Sequence, residues 1–262
     1  MTLWQGVLLG ILQGVTEFLP VSSSGHLALA QMLIPGFEQP GVIFDVLLHA
    51  GTGFAVAWYE RHQISEWLQS ASGRGLLGLL FVGTAATAIV ALPLRRAAVQ
   101  AFERPVWVGM ALIVTGLVVA ATKFLPGGSV GENGTTWRQS VLVGLAQGMA
   151  IFPGLSRSGM TIAVGLGGGL ERSWAARFSF LLSVPAIAAV TVVEIVETRS
   201  GMAAAGNGLG LASIAGGLAA GITGYFVLQV VIKAVSSNIF HRFAWYCVPL
   251  GILVVAFVLG GR

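Results

Sequence analysis

The sequence predicts an all-α integral membrane protein made of two copies of one half, inserted with opposite topology. Three observations carry that expectation. Of 262 residues, 55% are hydrophobic and only 9% charged, with a mean hydropathy of +0.85, too little charge to coat a water-soluble surface. The stretch QGVTEFLPVSSSGH at 13–26 returns without a gap as QGMAIFPGLSRSGM at 147–160. Ser22 aligns with Ser156, Ser24 with Ser158 and Gly25 with Gly159; in the same register FDVLL from Phe44 aligns with FSFLL from Phe178. A repeat this long is a duplicated half and not a solenoid period, with copies at 1–134 and 135–262 of a single membrane domain. Finally, each copy carries an odd number of full-length apolar segments.

In chain order, residues 3–18 form an apolar helical run that stops at Pro20, and 25–34 form a second that stops at Pro35. Neither has the roughly 20 residues needed to cross the hydrocarbon. Segments 42–59, 76–94 and 105–122 follow, each near that length. The second copy repeats the plan with 139–152 and 158–170 around Pro153, then 175–196, 209–232 and 243–261. Short apolar pieces broken by Pro, Gly and Ser are tolerated at membrane depth only where protein or a wet cavity surrounds the break. Each pair therefore reads as a re-entrant hairpin followed by three transmembrane helices. Three is odd, so the second copy is upside down and the hairpins enter from opposite faces. Arg61, Arg74, Lys123, Arg138, Arg172, Arg177, Lys233 and Arg242 fall at one set of ends. Because basic connections favour the cytoplasm, the termini and the first hairpin's mouth lie away from it. These charges are scattered, not clustered, which excludes a nucleic-acid partner. The single cysteine, Cys247, excludes a disulfide framework or cysteine metal site within one chain, and no cleavable signal is evident.

Chemistry is divided between the copies. Copy one has Glu17 where copy two has Ile151, and His26 where copy two has Met160; Arg157 stands opposite Ser23. Gln13 and Glu17, four residues apart, share a helix face, and a carboxylate at membrane depth faces a cavity or a partner. A plain ion pair with Arg157 is its simplest structural role. Ser22, Ser23 and Ser24 follow a helix-ending proline, where hydroxyls and backbone N–H groups at a helix start suit an anion such as phosphate. His26 can move a proton near neutral pH, with Glu17 expected to orient it. In the counterpart loop, Ser156, Ser158 and Gly159 repeat the anion cradle, and Arg157 is a planar cation suited to bidentate phosphate contact. Asp45 and His49, again four apart, rank second as cavity-lining groups. No P-loop, HExxH or GxSxG pattern competes. The SSSGH run superficially resembles acid phosphatases, but the spaced histidine and aspartate of that superfamily do not follow Arg157.

Taken together, Gln13 through His26 and Pro153 through Gly159 resemble the two motifs of the bacitracin-resistance family of undecaprenyl-diphosphate phosphatases. The likeness extends through FDVLLHAGT at 44–52 and FSFLLSVP at 178–185. Many relatives have Glu where this chain has Gln13. The resemblance implies a hydrolase of a polyprenyl diphosphate lipid in the bacterial cytoplasmic (inner) membrane, its site opening to the periplasmic side. It would recycle the carrier lipid for peptidoglycan synthesis and give bacitracin resistance. It implies Glu17, Ser23, His26 and Arg157 as catalytic residues, with Gln13, Ser22, Ser24, Ser156, Ser158 and Gly159 on the diphosphate. A divalent cation, Mg²⁺ or Ca²⁺, is expected, held by Glu17. The alternative is a polyprenyl-phosphate flippase, since inverted repeats with broken helices are transporter architecture; a flippase has no need of the proton-transfer pair Glu17 and His26.

Overall fold

The computed structural model describes residues 1–35, 37, 42–201 and 210–260, without the side chains of Val42 and of residues 194–201. Leu209 and Gly261, the outer ends of two expected spans, fall outside it. Among the described residues the chain is helical, in the order α1 (Leu3–Phe18), α2 (Ser23–Leu33), α3 (Val42–Tyr59), α4 (Arg61–Gln69), α5 (Ala71–Phe102), α6 (Pro105–Ala121), α7 (Trp137–Met149), α8 (Arg157–Gly167), α9 (Arg172–Gly201), α10 (Leu211–Ser236) and α11 (Ala244–Gly260). The pairing of Val130 with Leu170 is an isolated bridge.

Among the described residues, five helical stretches are long and apolar enough to cross a bilayer: α5, α6 continued to Phe124, α9 as far as Val193, α10, and α11 with the turn before it from Phe240. The protein is a multi-pass membrane protein. Six such spans were expected, and α3 is the exception, being apolar but shorter. It ends at Tyr59, where Glu60 leaves helical geometry at φ −92°, ψ 9°; the buried Glu60 side chain is gripped by Arg177 of α9, whose Nε donates at 2.8 Å to Oε1 while Nη2 donates to Oε2. The chain then turns into α4, a helix that the apolar pattern does not announce. Its Trp67 is buried edge-on to Trp174, with ring centroids 6.1 Å apart, and donates from Nε1 to Glu132 at 2.5 Å. A second difference concerns α5, which runs on through Pro93 to Phe102. Arg95 and Arg96 therefore extend a helix instead of forming a connection. Proline inside a membrane helix is tolerable where neighbours re-satisfy the freed backbone group.

The short helices start alike. Thr2 and Gln5 cap α1, the Thr2 N–H donating to Gln5 Oε1 at 2.8 Å, and Thr136 and Gln139 cap α7 by the same bond at 2.8 Å. Glycine then decides what each packs against. Gly10 of α1 lies so close to the Gly216 backbone of α10 that a Cβ would strike it; Gly144 of α7 lies equally close to Gly83 of α5. Such close approach is how helices associate without a hydrophobic drive between them. The neighbours are crossed: α1 lies on α10, α7 lies on α5, each from the other half of the chain, and α6 pairs with α11. This crossing carries the α1–α2 break up against the α7–α8 break.

Candidate active site

The first break is forced by Pro20, which has no N–H to continue α1. Ser22 then adopts φ 68°, a left-handed conformation unfavourable for a residue with a Cβ and held only by surrounding bonds. Its Oγ accepts from Gly25 N at 3.3 Å and from Gly154 N, in the other break, at 3.1 Å. Gly154 has φ 95° and rests on Val108 and Ala111 of α6, where no larger residue fits. Thr115 of α6 pins this second loop, donating to the Gly154 carbonyl and accepting from Ser156 N, both at 2.9 Å.

Where a phosphate cradle is expected, most of the serines clasp one break to the other. Ser22, Ser156 and Ser158 are buried. Ser158 Oγ donates to the Leu19 carbonyl of the first break at 3.0 Å and lies 3.1 Å from Ser156 Oγ, which itself caps α8 by accepting from Gly159 N at 3.1 Å. The repeated serines thus exchange bonds between breaks: Ser22 takes a donor from the second, and Ser158 gives one to the first. Ser22, Ser156, Ser158 and Gly159, expected on the diphosphate, here bond to the opposite break or cap a helix. Ser23, Ser24, His26 and Arg157 remain partly accessible.

Glu17 is the hub. Its Oε1 accepts from Arg157 Nη2 at 2.8 Å; its Oε2 accepts from Ser23 Oγ at 2.6 Å and from Gln13 Nε2 at 3.0 Å. The ion pair joins α1 to α8 with side chains 6% and 16% exposed, so removal of one partner would strand the other charge in an apolar setting. His49 Nδ1 lies 3.0 Å from Gln13 Nε2 and 3.7 Å from Glu17 Oε2. The second-ranked histidine therefore belongs to the cluster, with Asp45 one turn earlier on α3. Gln13 is fully buried, and its Oε1 has no partner among the described residues. The expected pairing of Glu17 with His26 does not form. His26 Nδ1 instead lies 2.8 Å from the Ser22 carbonyl and Nε2 lies 2.7 Å from Tyr246 Oη of α11. The sequence pattern misses both Tyr246 and Thr115. Thr115 is a polar residue inside an apolar run and so leaves a trace; Tyr246 leaves none.

An acid bonded to a serine hydroxyl and to an arginine, where two broken helices meet among membrane-spanning ones, defines a membrane protein with a centre equipped for phosphoryl chemistry. Residues 6–253 match the family described as Bacitracin resistance protein BacA, and the chain belongs to that family. An Undecaprenyl-diphosphatase of Desulfosudis oleivorans is 42% identical over 267 residues, covering 94% of this chain and 95% of the relative. One of Syntrophotalea carbinolica is 39% identical, covering 96% and 97%, and one of Methanosphaera stadtmanae is 33% identical, covering 95% of each.

Proposed function

We propose that the protein hydrolyses undecaprenyl diphosphate to undecaprenyl phosphate and inorganic phosphate. The observation that carries this reading is the 2.6 Å bond from Ser23 Oγ to Glu17 Oε2, a hydroxyl nucleophile on its base. The relatives' name supplies the substrate. Glu17 takes the Ser23 proton as Oγ attacks the terminal phosphorus. The bond from that phosphorus to the bridging oxygen breaks, and the lipid monophosphate leaves with the electron pair. Arg157 N–H groups not spent on Glu17 stabilise the three equatorial oxygens. Water then displaces the phosphoryl group from Ser23, giving a proton to neutral His26 while Glu17 returns one to Oγ.

A divalent cation, Mg²⁺ or Ca²⁺, fits as a guest of the substrate and not of a protein cage. Among the described residues no group of three or more His, Cys, Asp or Glu converges. Mg²⁺ is commonly held by one or two carboxylates plus substrate phosphates. Glu17 and the unpartnered Gln13 Oε1 would hold it, and when bound it would neutralise diphosphate charge. A crevice of about 500 Å³ behind the second break, lined by Trp107, Met110, Val114, Phe152, Pro153 and Leu155, suits the isoprenoid chain.

In this reading the halves are inverted repeats of residues 1–134 and 135–262, each with a re-entrant hairpin, and the crossed packing of α1 and α7 supports it. The protein sits in the cytoplasmic membrane with its site toward the periplasm, recycles carrier lipid for peptidoglycan and confers bacitracin resistance. Flipping by rocking one half against the other is disfavoured, because α1 and α7 are each seated on the opposite copy. The test is phosphate release by purified protein from undecaprenyl diphosphate. Wild type should turn over, and Ser23→Ala should lose at least about 10²-fold. An active alanine variant would remove Ser23 as nucleophile.

A further inference from the structure

Two successive residues of α11 reach back to the first break. Cys247 Sγ, buried, donates to the Pro20 carbonyl at 3.1 Å. Tyr246 Oη lies 2.7 Å from His26 Nε2, and the two rings stack with centroids 5.7 Å apart and planes 16° apart. The bond on the opposite side of the imidazole decides what this contact means. A carbonyl can only accept, so the Ser22 carbonyl 2.8 Å from Nδ1 requires that Nδ1 carry the hydrogen. Nε2 of the neutral ring then has a lone pair, and the Tyr246 hydroxyl donates to it.

We propose that Tyr246 is a positioning residue for the hydrolysis, fixing His26 as the Nδ1–H tautomer with Nε2 as the nitrogen that exchanges protons. The inference rests on the hydrolase reading above. A phenol suits the task because its hydroxyl both donates and accepts. In the second step, water oxygen bonds to phosphorus as the Ser23 Oγ–phosphorus bond breaks. The Tyr246 hydroxyl first turns its hydrogen away and yields the single Nε2 lone pair to the water, whose proton passes to Nε2; the Tyr246 oxygen then accepts from the new Nε2–H. The ring stays in place through both protonation states. Glu17 has no part in holding this ring; its oxygens serve Arg157, Ser23 and Gln13. Each acid–base group thus has its own support, Glu17 from α8 and His26 from α11, both in the second copy.

Tyr246→Phe keeps the stacked ring and deletes the hydroxyl. With undecaprenyl diphosphate, kcat should fall about tenfold, the scale of one hydrogen bond to a group that becomes charged, while KM stays within twofold. In a His26→Ala background the same substitution should cause no further loss, because Tyr246 acts only through the imidazole. Cys247→Ala loosens the same break without touching His26 and should keep kcat within twofold. Normal kcat in Tyr246→Phe, an equal loss in the His26→Ala background, or an equal loss in Cys247→Ala would each overturn the proposal. Failure of the wild type to release phosphate would instead overturn the hydrolase reading.

Discussion

Replacement of Arg157 by lysine separates charge from geometry. The guanidinium has five N–H donors in a rigid plane. One, on Nη2, holds Glu17 Oε1 at 2.8 Å, and Nη1 makes only a 3.5 Å contact with the Ser179 carbonyl. The arginine can therefore keep Glu17 in place while its other N–H groups face a phosphoryl oxygen. A lysine ammonium has its donors on one atom, so it serves either Glu17 or the phosphate well. Arginines that stabilise a transferring phosphoryl group contribute about 10³–10⁵ in rate, so Arg157→Lys should lose about 10³ or more in kcat. Stability should change far less. The positive charge stays opposite Glu17, and the loss should be about 1 kcal/mol, whereas Arg157→Gln strands Glu17 and should cost about 3–5 kcal/mol. Phosphate release at saturating substrate and thermal melting in the same detergent measure the two effects. A lysine variant within tenfold of wild type would reduce Arg157 to an ion-pair partner. A lysine variant as unstable as the glutamine one would attribute lost activity to unfolding.

Four further outcomes follow from the same geometry. Ser158→Ala should lower stability by about 1 kcal/mol by deleting its bond to the Leu19 carbonyl, which still accepts from Val21 N at 2.8 Å, with kcat within twofold; a large kcat loss without destabilisation would return Ser158 to the phosphate. Val114→Trp, which fills the crevice behind the second break, should raise KM for undecaprenyl diphosphate at least several-fold while leaving a short-chain diphosphate unaffected, and equal effects on both would empty the crevice of its proposed occupant. In a Cys247→Ala background, cysteines at Trp4 and at Arg138, the mouths of the two broken pairs, should be labelled from opposite sides of the membrane; labelling of both from one side refutes the inverted arrangement. Gln13→Glu should sharpen the dependence of hydrolysis on added Mg²⁺ or Ca²⁺, and an unaltered response to chelator would place Gln13 outside any cation's shell.

The breaks are legible in the sequence because Pro20 and Pro153 act locally, each removing a donor from its helix. The division of Glu17 and Arg157 between copies is legible for a different reason, since alignment of the repeats exposes it. What each serine does is not legible. Ser22, Ser23 and Ser24 are consecutive letters, yet a left-handed Ser22 turns its own hydroxyl to the other break and leaves Ser23 facing Glu17. That outcome depends on Gly154, far along the chain. Tyr246 is hidden for the same reason, as an ordinary aromatic in an apolar helix until α11 is laid beside α2. Local pattern also misplaces α5, where the apolar run ends at residue 94 but the helix does not.

The crossed glycine contacts also set the order in which the molecule can be completed. α1 is made well before α10, yet the face bearing Gly6, Gly10 and Gly14 closes on α10. At about 5–20 residues per second, α1 waits on the order of ten seconds or more for its partner. Until α8 is made, Glu17 has no Arg157 to pair with, and a lone carboxylate is costly in hydrocarbon. A chain truncated before α10 would keep both members of that ion pair and lose the helix on which α1 is seated.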